Sequence, residues 1–178
     1  MVKLLPYTAI DGIPTFTDSF IKWLYARMQE EDSAGCVFLD GSVKTADEFL
    51  RLMKFGTVRL YVVECAGEIS GVVWLNNFQS RSAEFHFCFF SSLRGKEAVA
   101  AGKEIVKELL EQTNIDGLPV FDILTGITPV TNKAAIRWGR RMGFETLGIL
   151  PSAIFDAEQG ESVPGQVFYV QRGTYGKG

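Results

Sequence analysis

The chain has 178 residues, of which 47% are hydrophobic, 22% charged and 12% aromatic. This apolar content is enough to form a core, and it excludes a disordered or low-complexity protein. The 18 Lys and Arg residues are balanced by 21 Asp and Glu residues, which gives a net charge of -3. Because the chain carries no excess of positive charge to neutralise phosphates, we expect no nucleic-acid partner.

The number and spacing of the cysteine and histidine residues exclude further classes of protein. Cys36, Cys65 and Cys88 are scattered and form no CxxC pair, unlike the cysteines of small secreted domains. With a single His in the chain, we expect no metal site. No apolar run reaches the ~18–20 residues of a membrane span, and the first ten residues lack the pattern of a signal peptide. We therefore expect a cytoplasmic protein with no membrane partner, folded as one domain over residues 1–178.

The first third of the chain predicts an edge strand and two helices. Lys3–Tyr7 predicts a strand at the edge of a sheet because it contains a proline. Thr15–Asp18 has the spacing of a capping box and predicts the start of a helix, after which apolar residues recur every three or four positions. Thr45–Glu48 has the same spacing and predicts a second, shorter helix. The polar segment 31–44 between the two predicts a loop.

The period of the apolar residues changes to two after Gly56. Val58–Glu64 and Ile69–Asn77 flank a tight turn and predict a β-hairpin. Ala83–Phe90 predicts a third strand. Alternation along this strand places Phe85, Phe87 and Phe89 on one face, and Glu84, His86, Cys88 and Phe90 on the other.

The rest of the chain predicts two helices and three strands. A long helix runs from about Gly95 to Gln112, and a strand follows over Pro119–Gly126. The second helix is capped by Thr131 and Asn132 and ends at Gly143. The last two strands are predicted over Thr146–Leu150 and Gln166–Gln171. The unit from Ala83 to Gly126 is long enough for a right-handed parallel crossover. We therefore expect an α+β fold of three layers. Its central sheet is mixed and mostly antiparallel, with one parallel strand pair and helices on both faces.

The segment Ser91–Lys96 joins the end of a strand to the start of the long helix. Unpaired N–H groups at such a start, together with the helix dipole, favour a bound anion. Arg94 and Lys96 add positive charge at the same place. Taken alone, the segment fits an ordinary solvated turn equally well.

A second segment, Thr131–Phe144, reads as a capped amphipathic helix that ends at Gly143. In this order and at this spacing, the two segments resemble the GNAT superfamily of acyl-CoA-dependent N-acetyltransferases, and the resemblance covers about residues 15–171. It implies acetyl-CoA as the cosubstrate. The implied contacts are the backbone amides of Arg94, Gly95, Lys96, Glu97 and Ala98 with the pyrophosphate, and Cys88, Phe89, Phe90 and Asn132 with the pantetheine arm.

Two positions depart from the pattern of the family. The pyrophosphate loop usually has small residues where this chain has Glu97 and Val99, and a carboxylate there repels an anion although it suits the helix dipole. The tyrosine that many members use as general acid aligns with Gly139. Alternatives for that role are Tyr61, Tyr169, Tyr175 or a water molecule.

The resemblance implies a general base at Glu84, because some members carry a glutamate on the strand before the pyrophosphate loop. Acting through water, a carboxylate can take the proton of an ammonium so that a neutral amine attacks. The alternative is a glutamate at the rim of the sheet. His86 shares the face of Glu84 and is a base or relay, or else a packed core histidine. Cys88 lies on the same face of the strand. We expect it to be a buried structural thiol rather than a nucleophile, since direct transfer of the acetyl group to the amine needs no covalent intermediate on the protein.

The resemblance and these residues together predict an N-acetyltransferase that moves an acetyl group from acetyl-CoA to a primary amine by direct attack on the thioester. A strand amide near Phe89 or Phe90 would polarise the thioester oxygen. The alternative is a GNAT-fold module that binds acyl-CoA or a protein partner without turnover, and Glu97, Val99 and Gly139 favour it.

The acceptor is expected to be a small-molecule or peptide amine. The loops 30–44 and 155–165 are rich in Asp and Glu, and they predict an acidic rim that attracts a cationic amine. Plain solubility is the alternative explanation for these charges. The sequence leaves open whether the chain forms a homodimer.

Overall fold

The computed structural model describes residues 2–176. In chain order the elements are β1 (Val2–Pro6), β2 (Ala9–Ile10), β3 (Ile13–Pro14), α1 (Asp18–Glu30), α2 (Ala34–Val37), α3 (Ala46–Met53), β4 (Arg59–Cys65), β5 (Glu68–Gln79), β6 (Ser82–Phe89), α4 (Gly95–Glu111), β7 (Ile123–Pro129), α5 (Lys133–Arg141), β8 (Glu145–Asp156) and β9 (Glu161–Gln171). Within the described part of the chain, no helix is both long and apolar enough to cross a membrane.

Seven strands form one sheet in the order β1-β4-β5-β6-β7-β9-β8, and β2 and β3 form a separate hairpin. Neighbouring strands of the sheet are antiparallel except β6 and β7, which are parallel. The strand predicted at the N-terminus is β1, at an edge of the sheet. The predicted mixed sheet with one parallel pair is confirmed.

Helices cover both faces of the sheet. On the face called here the α1 face, α1 and α3 bury apolar residues such as Ile21, Leu24 and Phe49 against β4, β5 and β6. On the opposite face, called the α4 face, α4 buries Ile105 and Leu109 against the sheet, and α5 packs beside it. Side chains of β6 alternate between the two faces of the sheet. Its odd-numbered Phe residues lie on the α4 face and its even-numbered residues on the α1 face.

The predicted start of the first helix is wrong by two residues. The N-cap is Thr17, whose side chain accepts a hydrogen bond from the Phe20 amide. Thr15 instead accepts from the Thr8 amide and donates to the Pro6 carbonyl, so it closes the β2–β3 hairpin. The second capping box is confirmed, with Thr45 as N-cap of α3.

The C-terminal strands differ from their predicted bounds. The predicted strand Pro119–Gly126 is shifted, because β7 begins at Ile123 and runs to Pro129. The polar segment 155–165, predicted as a loop, consists of the ends of β8 and β9 joined by a turn. Asp156 holds this turn by accepting hydrogen bonds from two backbone amides. The segment 31–44 contains the short helix α2.

Candidate active site

The sheet splits between its two parallel strands. β6 and β7 pair only where Ser82–Glu84 lies beside Ile123–Thr125. Beyond this point β6 stays paired with β5 as far as Phe89, while β7 stays paired with β9 as far as Pro129. The two strands therefore separate, and each leaves a free edge facing a gap.

The register of β6 determines which backbone groups face this gap. The Phe90 amide donates to the Ser70 carbonyl at 2.8 Å, and pairs in an antiparallel ladder alternate between bonded and non-bonded. Cys88 and Phe90 therefore direct their backbone groups at β5. Phe87 and Phe89 direct theirs at the gap, where an extended ligand could pair with them. Of the two amides predicted to polarise a thioester, only that of Phe89 lies on the open edge.

A cleft of about 570 Å³ opens at the split. It brings together three of the predicted site residues, Glu84, His86 and Asn132. Its lining is completed by the following residues: Cys36, Val37, Phe38, Leu39, Asp40, Ser42, Leu52, Trp74, Asn76, Phe85, Phe87, Ile127, Thr128, Pro129, Ala135, Ala153, Ile154 and Phe155. The other predicted coenzyme contacts do not line it.

Glu84 and His86 are each held by an asparagine at the end of β5. Asn77 donates to one carboxylate oxygen of Glu84 at 2.7 Å. His86 Nε2 lies 2.9 Å from Asn76 Oδ1, an acceptor, so this nitrogen carries the proton of a neutral imidazole. His86 Nε2 is 3.9 Å from Glu84 Oε1, too far for a direct hydrogen bond. Glu84 keeps that oxygen free of protein hydrogen bonds among the described residues, with 22% of its side chain exposed to the cleft.

His86 is packed against an aromatic ring. It stacks on Trp74 with ring centroids 5.1 Å apart and planes 5° from parallel. Burial lowers the pKa of His86, and the nearby Glu84 carboxylate opposes this shift only in part. The imidazole is therefore neutral at pH 7. His86 is packed, as one of the two alternatives from the sequence has it, and it also lines the cleft.

Cys88 is buried on the α1 face, away from the cleft. Its Sγ lies 3.3 Å from Ser33 Oγ, and burial raises the pKa of the thiol. A neutral thiol is a weak nucleophile, so this environment supports the structural role.

The start of α4 keeps free backbone donors. Arg94 is the N-cap and provides no side-chain cap, so the amides of the first turn have no partner in the helix. Gly95 has φ +61°, a conformation that a side chain disfavours, and it turns the chain into the helix. Glu97 is exposed in this first turn. The free amides fit an anion site, while the Glu97 carboxylate opposes one.

Aromatic rings stand between the cleft and the start of α4. Trp138 of α5 packs against Phe87 at 4.0 Å and against Phe89 at 5.0 Å between ring centroids. Phe87 lines the cleft, whereas Phe89 lies at the end of β6 nearer to α4. A coenzyme that reached both the cleft and the α4 amides would have to pass along these rings.

None of the three tyrosines considered as general acid lines the cleft. Tyr61 is buried in the core of the α4 face. Tyr169 donates to Glu145, and Tyr175 donates to the Met142 carbonyl at 2.7 Å. Burial also raises the pKa of Tyr175 to about 12. These placements leave water as the remaining alternative from the sequence.

The predicted acidic rim is mostly wrong. Of its Asp and Glu residues only Asp40 lines the cleft. Glu31 instead binds Arg27 and accepts hydrogen bonds from the amide and hydroxyl of Ser91, which ties α1 to the loop before α4. Asp156 is buried in the turn after β8.

Sequence reasoning missed Asn76, Asn77 and Phe87. The two adjacent asparagines at the end of a strand were the available signal, since amide side chains there can orient neighbouring groups. Their partners depend on the register between β5 and β6. Phe87 is a site residue only because β7 leaves β6 beyond Glu84.

No family model and no curated sequence matches the chain. Its structure, in contrast, is similar to solved acetyltransferase structures. It matches a RimL ribosomal L7/L12 alpha-N-protein acetyltransferase in complex with coenzyme A, with 15% identity and a TM-score of 0.71 over 96% of this chain and 93% of that one. An acetyltransferase from Salmonella typhimurium that modifies the N-terminal serine of L7/L12 gives 15% identity and a TM-score of 0.72, over 96% and 94% of the chains.

The third similar structure is a spermidine N-acetyltransferase from Vibrio cholerae in complex with CoA and spermine. It has 20% identity and a TM-score of 0.67, over 98% of this chain and 97% of that one. The chain therefore has the fold of these acetyltransferases, and the predicted GNAT fold is confirmed. A fold of this kind does not by itself determine an acceptor.

Proposed function

We propose that this protein is an acetyl-CoA-dependent N-acetyltransferase that acts on a primary amine at the cleft between β6 and β7. The observation that carries the proposal is the split of the two parallel strands, which exposes the backbone of Phe87 and Phe89 next to Glu84. The similar structures in complex with coenzyme A support the same cosubstrate.

In this proposal the pantetheine arm extends along the open edge of β6 and its pyrophosphate lies on the amides of Gly95, Lys96 and Glu97. Asn132 caps α5 by accepting from the Ala135 amide, which leaves its NH₂ group for the arm. The Phe89 amide is the donor for the thioester oxygen, where negative charge develops during attack.

Glu84 is the proposed general base, and its support is geometric. One carboxylate oxygen is held by Asn77, and the other is free towards the cleft. An ammonium gives up its proton to this oxygen, directly or through water, and the amine nitrogen then bonds to the acetyl carbon. The nitrogen then loses its second proton to water, the C–S bond breaks, and the leaving thiolate takes a proton from water; Glu84 returns its own proton to solvent. His86 is a positioning residue in this scheme, because its packing keeps it neutral and its bond to Asn76 orders the end of β5.

The test is acetyl transfer itself. Purified protein is incubated with acetyl-CoA and a panel of amines, thiol release is followed, and the acetylated product is identified by mass spectrometry. We expect amine-dependent thiol release well above the hydrolysis seen without an amine. Binding of acetyl-CoA without turnover on any amine would favour the alternative below.

The alternative function is a binding module with the same fold. Its specific support is the exposed Glu97 carboxylate in the first turn of α4, together with the Phe87, Phe89 and Trp138 rings beside the path of the coenzyme. Such a module would hold acyl-CoA, or a protein partner, without transferring the acyl group.

For assembly we propose a homodimer through the edge strand β8. The segment 146–155 has no charged residue, and Leu147, Ile149 and Leu150 are exposed on it. Because Pro151 and the bulges of β8 interrupt its edge, we expect contact through these apolar side chains rather than a continued sheet. Light scattering coupled to size exclusion should give twice the monomer mass, and Leu147→Lys should return it to the monomer value.

A further inference from the structure

The end of β5 forms a β-bulge beside the proposed base. β5 pairs with β6 as far as Asn76, which lies opposite Glu84, and the next pair is Gln79 with Ser82. Two residues of β5 between these pairs therefore stand opposite one residue of β6. An extra residue of this kind bends the strand, and bulges are frequent next to active sites, where they redirect a side chain.

The bulge reverses the alternation of side chains along β5. Before the bulge, Trp74 packs on the α1 face and Leu75 on the α4 face. After the bulge, the even-numbered Phe78 packs on the α4 face. In a regular strand Asn76 and Asn77 would point to opposite faces, whereas here both side chains reach the α1 face of β6.

Each of the two asparagines consequently meets a different side chain of β6. Asn76 lies opposite Glu84 in the register, yet its Oδ1 atom is 2.9 Å from His86 Nε2. Asn77 is the residue that donates to Glu84, at 2.7 Å from Oε2. Among the described residues, Glu84 would have no side-chain hydrogen bond without Asn77.

Asn77 adopts a backbone conformation that most side chains avoid. Its φ is +49°, in the left-handed region. Glycine takes this conformation freely, and asparagine is tolerated there better than most residues but less well than glycine. Asn77 is also exposed, so it adds little to the core. Stability therefore does not explain an asparagine here, and backbone strain of this kind is typical of functional positions.

From these observations we infer that Asn77 is a positioning residue, redirected by the bulge to hold one oxygen of Glu84 so that the other oxygen faces the amine. This inference rests on the proposed function and adds a residue to its machinery. A carboxylate fixed at one oxygen keeps the second oxygen in one direction. Proton transfer requires the base to lie within hydrogen-bond reach of the proton, so this orientation contributes to the rate.

The test compares two glycine substitutions near the connection of β5 and β6. Asn77→Gly removes the carboxamide and relieves the left-handed conformation. Ser80→Gly is the matched control, since Ser80 has φ +53° and lies outside the cleft. We expect Asn77→Gly to lower kcat for acetyl transfer about tenfold to hundredfold. Ser80→Gly should leave kcat within about twofold of the wild type.

Two further readouts separate positioning from a structural role. The Tm of Asn77→Gly should be no lower than that of the wild type, and its Kd for coenzyme A should stay within about twofold. A full kcat in Asn77→Gly would overturn the inference. A lower kcat together with a lower Tm would assign Asn77 to the fold instead, and so would also overturn it.

A double variant tests whether Asn77 acts through Glu84. In Glu84→Gln there is no base to position, so adding Asn77→Gly should lower the remaining kcat by less than about twofold. The two effects would then be far from additive, as expected of residues in one hydrogen bond. If Asn77→Gly caused its full loss on top of Glu84→Gln, Asn77 would act elsewhere and the inference would be overturned.

The failure of the proposed function would be seen separately. If the wild type acetylates no amine, the proposed acetyl transfer fails, and NMR then decides the inference without activity. The side-chain amide signals of Asn77, assigned by their absence in Asn77→Gly, should shift as acid protonates Glu84. Glu84→Gln should abolish this response, which would support Asn77 as the residue that holds the carboxylate. Asn77 signals that do not respond to Glu84 would overturn the inference.

Discussion

His86 is the chain's only histidine, and at the scale of single residues it makes the stability of the protein depend on pH. Burial lowers its pKa below the ordinary 6.5. As the pH falls below about 6.5, the unfolded chain binds a proton at this residue that the folded chain does not bind. The free energy of unfolding should therefore fall between pH 7 and pH 5.

The measurement is urea unfolding of the wild type and of His86→Gln across this range. The variant should lose most of the pH dependence. The carboxyls of Asp47 and Glu48 titrate below this range, since their pKa values are lowered from 3.8 and 4.5. Burial raises the pKa of Glu108 from 4.5, which adds an opposite slope that is the same in both proteins and cancels in their difference. If the free energy of unfolding changed with pH in the same way in both proteins, His86 would have the same pKa in the folded protein as in the unfolded chain, which would contradict the prediction.

Glu97 is the residue that most opposes an anion at the start of α4. Glu97→Gly removes a negative charge from the first turn and allows closer approach of the backbone. We expect coenzyme A to bind as tightly as before or more tightly in a calorimetric titration. The free protein should lose about 0.5–1 kcal/mol of stability, since Gly is disfavoured in a helix. A large loss of affinity would show that Glu97 orders the loop.

The residues of the site were partly predictable from the sequence. Alternation along a strand is a local property, so the shared face of Glu84 and His86 follows from their spacing of two. Their partners Asn76 and Asn77 depend on the register between two strands, which no local pattern determines. The acidic rim was wrong for a related reason, because Glu31 has a nonlocal partner in Ser91.

At the scale of elements, two glycines test how closely neighbouring elements approach. A Cβ at Gly71 of β5 would lie 2.6 Å from the Cys88 carbonyl oxygen, a backbone atom of β6 that cannot move alone. A Cβ at Gly139 of α5 would meet only the Phe168 ring at 3.9 Å. The two substitutions to alanine should therefore have opposite effects.

Gly71→Ala should lower the free energy of unfolding by about 1–3 kcal/mol, because it overpacks the join of β5 and β6. Gly139→Ala should raise it by about 0.5–1 kcal/mol, since alanine is the better helix former and the site has room. Chemical denaturation gives both values. A stable Gly71→Ala protein would mean that the two strands are not as close as described.

The elements themselves were predicted best where the signal is local. The capping box at Thr45 and the helix end at Gly143, whose φ is +97°, follow from chemistry within one turn. The segment 155–165 predicts a polar loop, because its charges and glycines resemble loop residues, whereas the structure extends β8 and β9 into it. Pairing of the two strands with each other overrides that local preference.

At the scale of the whole molecule, coenzyme binding should stabilise the fold. A ligand at about 100 times its Kd adds roughly 2.7 kcal/mol to the free energy of unfolding. For a domain of this size the corresponding rise in Tm is about 5–10 °C. Thermal unfolding with millimolar acetyl-CoA checks this. An unchanged Tm would count against both the enzyme and the acyl-CoA-binding alternative.

The layer order and the parallel strand pair were predictable because a long strand–helix–strand unit has few possible connections. The split between β6 and β7 was not, since it depends on where two distant segments stop pairing. The cleft arises from that split, and so the position of the site became known only with the sheet.

The pH dependence of acetyl transfer in Glu84→Gln tests the central claim, that Glu84 deprotonates an amine at this cleft. The rate should fall about 10²–10⁴-fold near neutral pH, where the amine is mostly protonated. The loss should shrink at high pH as neutral amine becomes abundant. Affinity for coenzyme A should stay unchanged, and His86→Gln should have the smaller effect. A Glu84→Gln protein that transfers acetyl groups at the full rate near pH 7 would contradict the claim.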